Sequence, residues 1–190
     1  MKSKHGLTIA FLVATFAVGG WAFLQDKGME GGGMPEMPKP TPHHAHLKSM
    51  VGTWDAVVKM TGPDGKPQES KASETIKALG EFWIVSEFNG DMMGMPFTGT
   101  SLDGFDVEKK KHVGMWVDSM SPDRIPYEGE CSNNCMTITC VGQGRDHETG
   151  KPCKLKMVTE FKDKDHRTFT LSQEGKPPEQ AMVINYTRKK

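Results

Sequence analysis

Val51-Gly52-Thr53-Trp54-Asp55-Ala56-Val57-Val58-Lys59-Met60 runs straight into Thr61-Gly62-Pro63-Asp64-Gly65-Lys66-Pro67, and that junction decides the fold class. Side chains alternate across a strand, so Trp54, Ala56, Val58 and Met60 share one face while Asp55 and Lys59 take the other. The glycine, proline and aspartate that follow are turn chemistry. Comparable runs recur at about residues 69–79, 82–89, 96–103, 111–119, 125–131, 135–142, 153–161, 167–173 and 179–188. Turn signals such as Asn89-Gly90-Asp91, Asp103-Gly104-Phe105-Asp106 and Glu148-Thr149-Gly150-Lys151 separate them. No window carries a sustained helical stripe, and one short helix is expected from His43 to Met50. About ten short strands at this spacing predict an all-β domain over residues 46–190. An antiparallel up-and-down barrel is the expected form, because closure removes exposed edges. A barrel of about this size holds either packed side chains or one small ligand.

The chain upstream of residue 46 has a different character. Met1-Lys2-Ser3-Lys4-His5 is a basic head, and residues 7–24 form an apolar run without a charge. That is the layout of a signal sequence, and the run has about the length needed to cross a bilayer. Export to a periplasmic or extracellular location is expected. Cleavage near Ala17-Val18-Gly19 and retention of residues 7–24 as an inner-membrane anchor both remain open. Residues 25–45 read as a flexible linker, with glycines 31–33 and Pro35, Pro38, Pro40 and Pro42. The 24 basic and 24 acidic side chains cancel, so no long-range field favours nucleic acid or an anionic membrane surface. Membrane contact is expected only through the N-terminal segment.

Four blocks carry a resemblance. His46-Leu47-Lys48-Ser49-Met50-Val51-Gly52-Thr53-Trp54, Met92-Met93-Gly94-Met95-Pro96-Phe97-Thr98-Gly99, Gly104-Phe105-Asp106 and Val113-Gly114-Met115-Trp116-Val117-Asp118-Ser119-Met120 together resemble the domain of unknown function 1579 family. The resemblance spans roughly residues 43–188 and implies a lipocalin-like barrel without an established activity. The family more often has Gly-Tyr-Asp where this chain has Gly104-Phe105-Asp106. The wider lipocalin superfamily places Gly-x-Trp on the first strand and a basic residue on the last. Gly52-Thr53-Trp54 and Arg188 are similar, which implies a guanidinium stacked on Trp54 as a barrel-closing pair, a contact of about 0.5–2 kcal/mol.

Candidate ligand contacts follow from the strand faces. Trp116 and Asp118 share one face of their strand; with Trp54, Phe97 and Tyr127 they form the expected ligand-binding set for a small, mainly apolar molecule. Packing alone explains the same residues, and Asp118 has the alternatives of capping a turn or pairing with Arg124. Glu87 poses the same question on its own strand. The Met92–Phe97 segment reads either as a ligand entrance or as a hairpin packed over one end.

No Gly-x-Ser-x-Gly elbow, phosphate-cradling glycine loop or haem-attachment motif occurs. No catalytic residue, cofactor or metal site is assigned, and enzymatic activity is not expected. Cys131, Cys135, Cys140 and Cys153 lie close in sequence. Export favours disulfides over free thiols or a four-thiolate zinc site, whose usual pair spacing is missing. Hairpins turning at Ser132-Asn133-Asn134 and near Asp146-His147 predict Cys131–Cys135 and Cys140–Cys153. His43, His44 and His46, with Met29, Met34 and Met37, suit copper by ligand type, but the segment reads first as solvated linker. The leading expectation is a non-enzymatic barrel that binds a ligand in its lumen; the alternatives are a filled structural barrel and a copper-binding tail.

Overall fold

The structure is a computed structural model that describes residues 38–190 except Pro63, Met93, His147 and Glu148. The leader, most of the linker, Met29, Met34 and Met37 lie outside the described residues. Among the described residues no helix is long and apolar enough to cross a membrane.

Helix α1 (Pro42–Ser49) precedes strands β1 (Gly52–Thr61), β2 (Pro67–Leu79), β3 (Trp83–Met92), β4 (Met95–Asp106) and β5 (Lys111–Asp118). Strands β6 (Ile125–Ser132), β7 (Thr137–Arg145), β8 (Pro152–Phe161), β9 (His166–Gln173) and β10 (Met182–Arg188) complete the sheet. Every neighbouring pair is antiparallel, and β10 returns to β1, so the ten strands form a closed barrel. Each strand runs from one barrel end to the other. The starts of β1, β3, β5, β7 and β9 therefore gather at one end with the finishes of the even-numbered strands. Helix α1 packs there, against β3 and β4.

Helix α1 matches the helix expected over His43 to Met50 to within one residue at each end, so residues 42–45, at the end of the expected linker, are helical. Pro42 supplies a preset φ at the first helical position, and the Thr41 backbone N–H donates to His44 Nδ1 at 2.9 Å. Spacing of three puts His44, Leu47 and Met50 on one face, and all three are buried. His43 and His46 are half-buried, His43 stacked on Phe105 and His46 edge-on to Phe161. The three histidines are thus packed side chains rather than a solvated tail.

Trp54 sits beneath the helix with 1% of its surface exposed. Burial of an indole of this size stabilises by about 4–6 kcal/mol. Its Nε1–H donates to the Met50 carbonyl at 2.9 Å, which ties the helix end to the first strand. Arg188 pairs with Trp54 in the ladder and lies 4.1 Å from its ring centroid. Its Nη1 and Nη2 donate to the Val51 and Ser49 carbonyls, each at 2.8 Å. A β-carbon at Gly52 would come 2.8 Å from Arg188 Nη1. Glycine at this position therefore makes room for the arginine.

The cysteines divide differently from the expectation. Cys131 and Cys135 form a disulfide across the β6–β7 turn, where Asn133, Asn134 and Cys135 all adopt positive φ. Cys140 and Cys153 are free. The β7–β8 register sets Cys140 opposite Met157 and Cys153 opposite Gly144. That offset of four residues separates them by about 13 Å along the strand, far beyond disulfide reach. The cause is the turn: the Asp146 N–H donates to the Lys151 carbonyl, and Thr149 donates twice to the Asp146 carboxylate. This centres the hairpin beyond Asp146-His147.

Candidate functional site: the barrel interior and its two ends

Period-two alternation sends Trp54, Ala56, Val58 and Met60 inward from β1. Glu74 and Ile76 face in from β2, and Ile84, Ser86 and Phe88 from β3. Two apolar clusters result. The larger lies under α1 and along β1 to β4 and β10; the smaller gathers Ile138, Cys140, Leu155 and Met157.

Polar groups bridge the interior between them. Arg167 on β9 reaches across to Glu74 on β2, both side chains below 10% exposure, and the Ser86 hydroxyl donates to the same carboxylate. The Arg167 guanidinium also lies 3.8 Å from the Tyr186 ring centroid and 4.8 Å from that of Trp54. Trp54 is therefore flanked by two guanidiniums. Asp103 on β4 accepts from the Tyr127 hydroxyl at 2.6 Å and from Ser101 at 2.5 Å. Burial pushes the Asp103 carboxyl above its ordinary range. The Ser101 and Tyr127 hydrogen bonds oppose that, Glu74 adds to it, and Arg167 opposes it. Burial likewise raises the Tyr127 hydroxyl, helped by the Asp103 charge. It drives the Cys140 thiol up to about 12. A thiol so reluctant to ionise is no nucleophile.

The five expected ligand residues separate into groups. Trp54 belongs to the helix end. Phe97 and Trp116 stack at 6.3 Å with 18° between planes, and Phe88 meets Phe97 edge-on at 6.0 Å. Asp118 accepts from Trp116 Nε1 and from the Met120 N–H, each at 2.9 Å. It thus caps the turn after β5, and among the described residues Arg124 is not its partner. Tyr127 belongs with Asp103. A β-carbon at Gly99 would overlap the Trp116 indole, and one at Gly114 would overlap the Tyr127 ring. Both aromatics therefore lie flat on neighbouring strands and line the wall instead of crossing the lumen. Glu87 is exposed and pairs with Lys77 at 3.6 Å.

Two clefts of about 460 Å³ each lie at the end remote from α1. The first lies on β7, β8 and β9, with Gln143, Asp146, Cys153 and Gln173 among its walls. Asp146 is held well below the usual carboxylate range by Gln173, then by Thr149. The second is bounded by the inward side chains Val58, Met60, Gln68 and Ser70, with Asp91 and Gly94 of the β3–β4 turn at its lip. None of the five expected residues lines either cleft, but Phe97 pairs with Gly90, one residue from Asp91. The aromatic wall therefore begins beside the second cleft. Strand alternation placed Met60 on the inward face; nothing in the sequence showed at which barrel end the two clefts lie.

At the opposite end four potential metal-ligand atoms, from His43, His112, Cys131 and Cys135, lie within 4.8 Å of one another. The sequence reading assigned no metal there.

A closed ten-stranded antiparallel barrel, stoppered at one end by a short helix and latched by Arg188 on Trp54, is a lipocalin-like protein. The chain belongs to the family of proteins of unknown function DUF1579, which matches residues 39–188. Among curated proteins no sequence matches it. It is similar in structure to Rv2717c from M. tuberculosis, with a TM-score of 0.61 and 15% identity over 80% of this chain and 100% of that one. It is also similar to the S-type phycobiliprotein lyase CPES from Guillardia theta, with a TM-score of 0.53 and 14% identity over 78% and 93%. At these identities the likeness shows the fold alone.

Proposed function

We propose that the protein is a non-enzymatic carrier of a small, mainly apolar molecule, held at the barrel end remote from α1. One observation carries this reading: the cleft behind Val58, Met60 and Ser70 has a volume of about 460 Å³, inside the 300–1,000 Å³ range of ligand sites. Phe97, whose ring stacks on Trp116, pairs with Gly90 next to Asp91 at the lip of this cleft. Val58 and Met60 offer apolar contact to the body of such a ligand, while Gln68, Glu69 and Ser70 offer hydrogen bonds to a polar end. The phycobiliprotein lyase has the same fold, which is compatible with a ligand without naming one. The basic head and apolar run of residues 1–24 support a carrier that works outside the cytoplasm. A filled, structural barrel is the second reading, favoured by the Arg167–Glu74 bridge across the interior.

The test is a titration of the full chain with the neutral fluorophore N-phenyl-1-naphthylamine, alongside Met60→Trp, which fills the cleft and leaves the leader intact. The reading expects saturable one-site binding that weakens at least about tenfold in the variant, the equivalent of about 1.4 kcal/mol. Equal binding by both proteins, or none by either, would reject the cleft as the site.

A further inference from the structure

We propose that His43, His112, Cys131 and Cys135 form a zinc site when the Cys131–Cys135 disulfide is reduced. Three separate elements bring the groups together: α1 supplies His43, β5 supplies His112, and the end of β6 with its following turn supplies the cysteines. His43 Nδ1 lies 3.6 Å from Cys131 Sγ and 3.5 Å from Cys135 Sγ. A tetrahedral zinc with bonds of about 2.3 Å to sulfur and 2.05 Å to nitrogen sets its N and S ligands about 3.5 Å apart. The histidine is already at ligand distance from both sulfurs. Its ring is fixed by stacking on Phe105 at 4.0 Å with 7° between planes.

His112 is the independent observation. It is 4% exposed, and neither ring nitrogen has a hydrogen-bond partner among the described residues. A buried imidazole with two orphaned nitrogens carries a desolvation cost that a ligand would remove. It lies edge-on to His43 at 5.5 Å, inside the same cluster. The turn geometry adds to this. Cys135 holds a positive φ of 61° beside Asn133 and Asn134, a conformation costly for a residue other than glycine or asparagine, kept where the surroundings impose it. That turn folds Cys135 back over Cys131; the four cysteines lack the two close pairs of a four-thiolate site, but this one pair, with three intervening residues, falls within the two-to-four range of zinc-binding cysteine pairs.

The chemistry balances without a residual charge. An external dithiol reduces the protein disulfide by exchange, giving two protein thiols and leaving the dithiol as its own disulfide. Zinc(II) then displaces both thiol protons to solvent, and two thiolates with two neutral imidazoles leave the site electrically neutral. A neutral assembly is the form that tolerates burial. Disulfide and metal centre are thus two states of the same pair of sulfurs, at the barrel end opposite the proposed carrier cleft and independent of it.

The full chain, reduced with a phosphine that is then removed, should bind one zinc, raising its melting temperature; the oxidised chain should not. Cobalt(II) in place of zinc should give intense visible bands of a tetrahedral site and thiolate-to-metal charge transfer. His43→Ala, in the half-buried first turn of α1, and Cys135→Ser should each weaken binding more than about 100-fold, beyond the 10–100-fold that outer partners cost. Cobalt bound without thiolate charge transfer, or with unchanged affinity in Cys135→Ser, would overturn the proposal. So would a reduced chain that takes up no metal.

Discussion

Arg167→Met breaks the one ion pair among the described residues that crosses the interior with both side chains below 10% exposure. Glu74 would keep the Ser86 hydroxyl, yet its charge would lose the guanidinium that neutralises it. The guanidinium stacked on Trp54 and Tyr186 would go too. Removing one partner of a buried pair costs about 3–5 kcal/mol, because an uncompensated charge remains. That is a large part of the 5–15 kcal/mol that holds a domain folded. Replacing both members, as Glu74→Leu with Arg167→Met, removes the stranded charge and should recover most of the loss. Urea unfolding followed by Trp fluorescence reads both variants, at constant m-value. A single variant costing less than about 1 kcal/mol, or a double variant no more stable than the single, would refute the reasoning from burial.

Further outcomes follow from the same geometry. The intact mass of the oxidised chain should be two hydrogens below the reduced mass, since only Cys131 and Cys135 are joined; a deficit of four would restore the Cys140–Cys153 bridge. Iodoacetamide should spare Cys140, whose thiol burial raises to about 12, while half-buried Cys153 reacts slowly. Asp103 has its folded pKa raised, so its contribution to stability is full below the unfolded value of about 3.9 and falls as pH rises through the folded value. Asp103→Asn should therefore gain on the wild type between pH 4 and neutrality, and a relative loss over that window in pH-dependent urea melts would reverse the sign argued here. At Gly129 a β-carbon would sit 1.9 Å from the Thr139 carbonyl oxygen. Gly129→Ala must push β6 from β7, so its soluble yield should collapse, whereas Gly65→Ala, with open space around it, should cost only about 1 kcal/mol for its positive φ.

The strands were legible because their inner faces repeat every second residue and their turns carry glycine, proline and asparagine. Trp54, Ala56 and Val58 point where alternation puts them. The helix from Pro42 was visible only in outline, since His44 and Leu47 make a short buried face without an apolar stripe. The polar interior was hidden by the same rule that revealed the strands. Glu74, Ser86, Arg167 and His112 occupy inward positions, but a polar residue at a strand position reads as outward until its partner across the barrel is known. Arg167 and Glu74 are 93 residues apart, and no local pattern connects them. The second cysteine pairing failed on turn centring, because a shift of two residues in a hairpin moves every facing pair by four. His43 and Cys131, 88 residues apart, meet only after the helix folds over the barrel mouth.

The central claim is the location of the ligand site, and methyl NMR of the full chain with labelled methionines tests it most directly. On titration with N-phenyl-1-naphthylamine the Met60 methyl should shift strongly, while Met50 beneath the helix and exposed Met136 in the β6–β7 turn stay fixed. Shifts centred on Met50 or Met136 with Met60 unmoved would contradict the account.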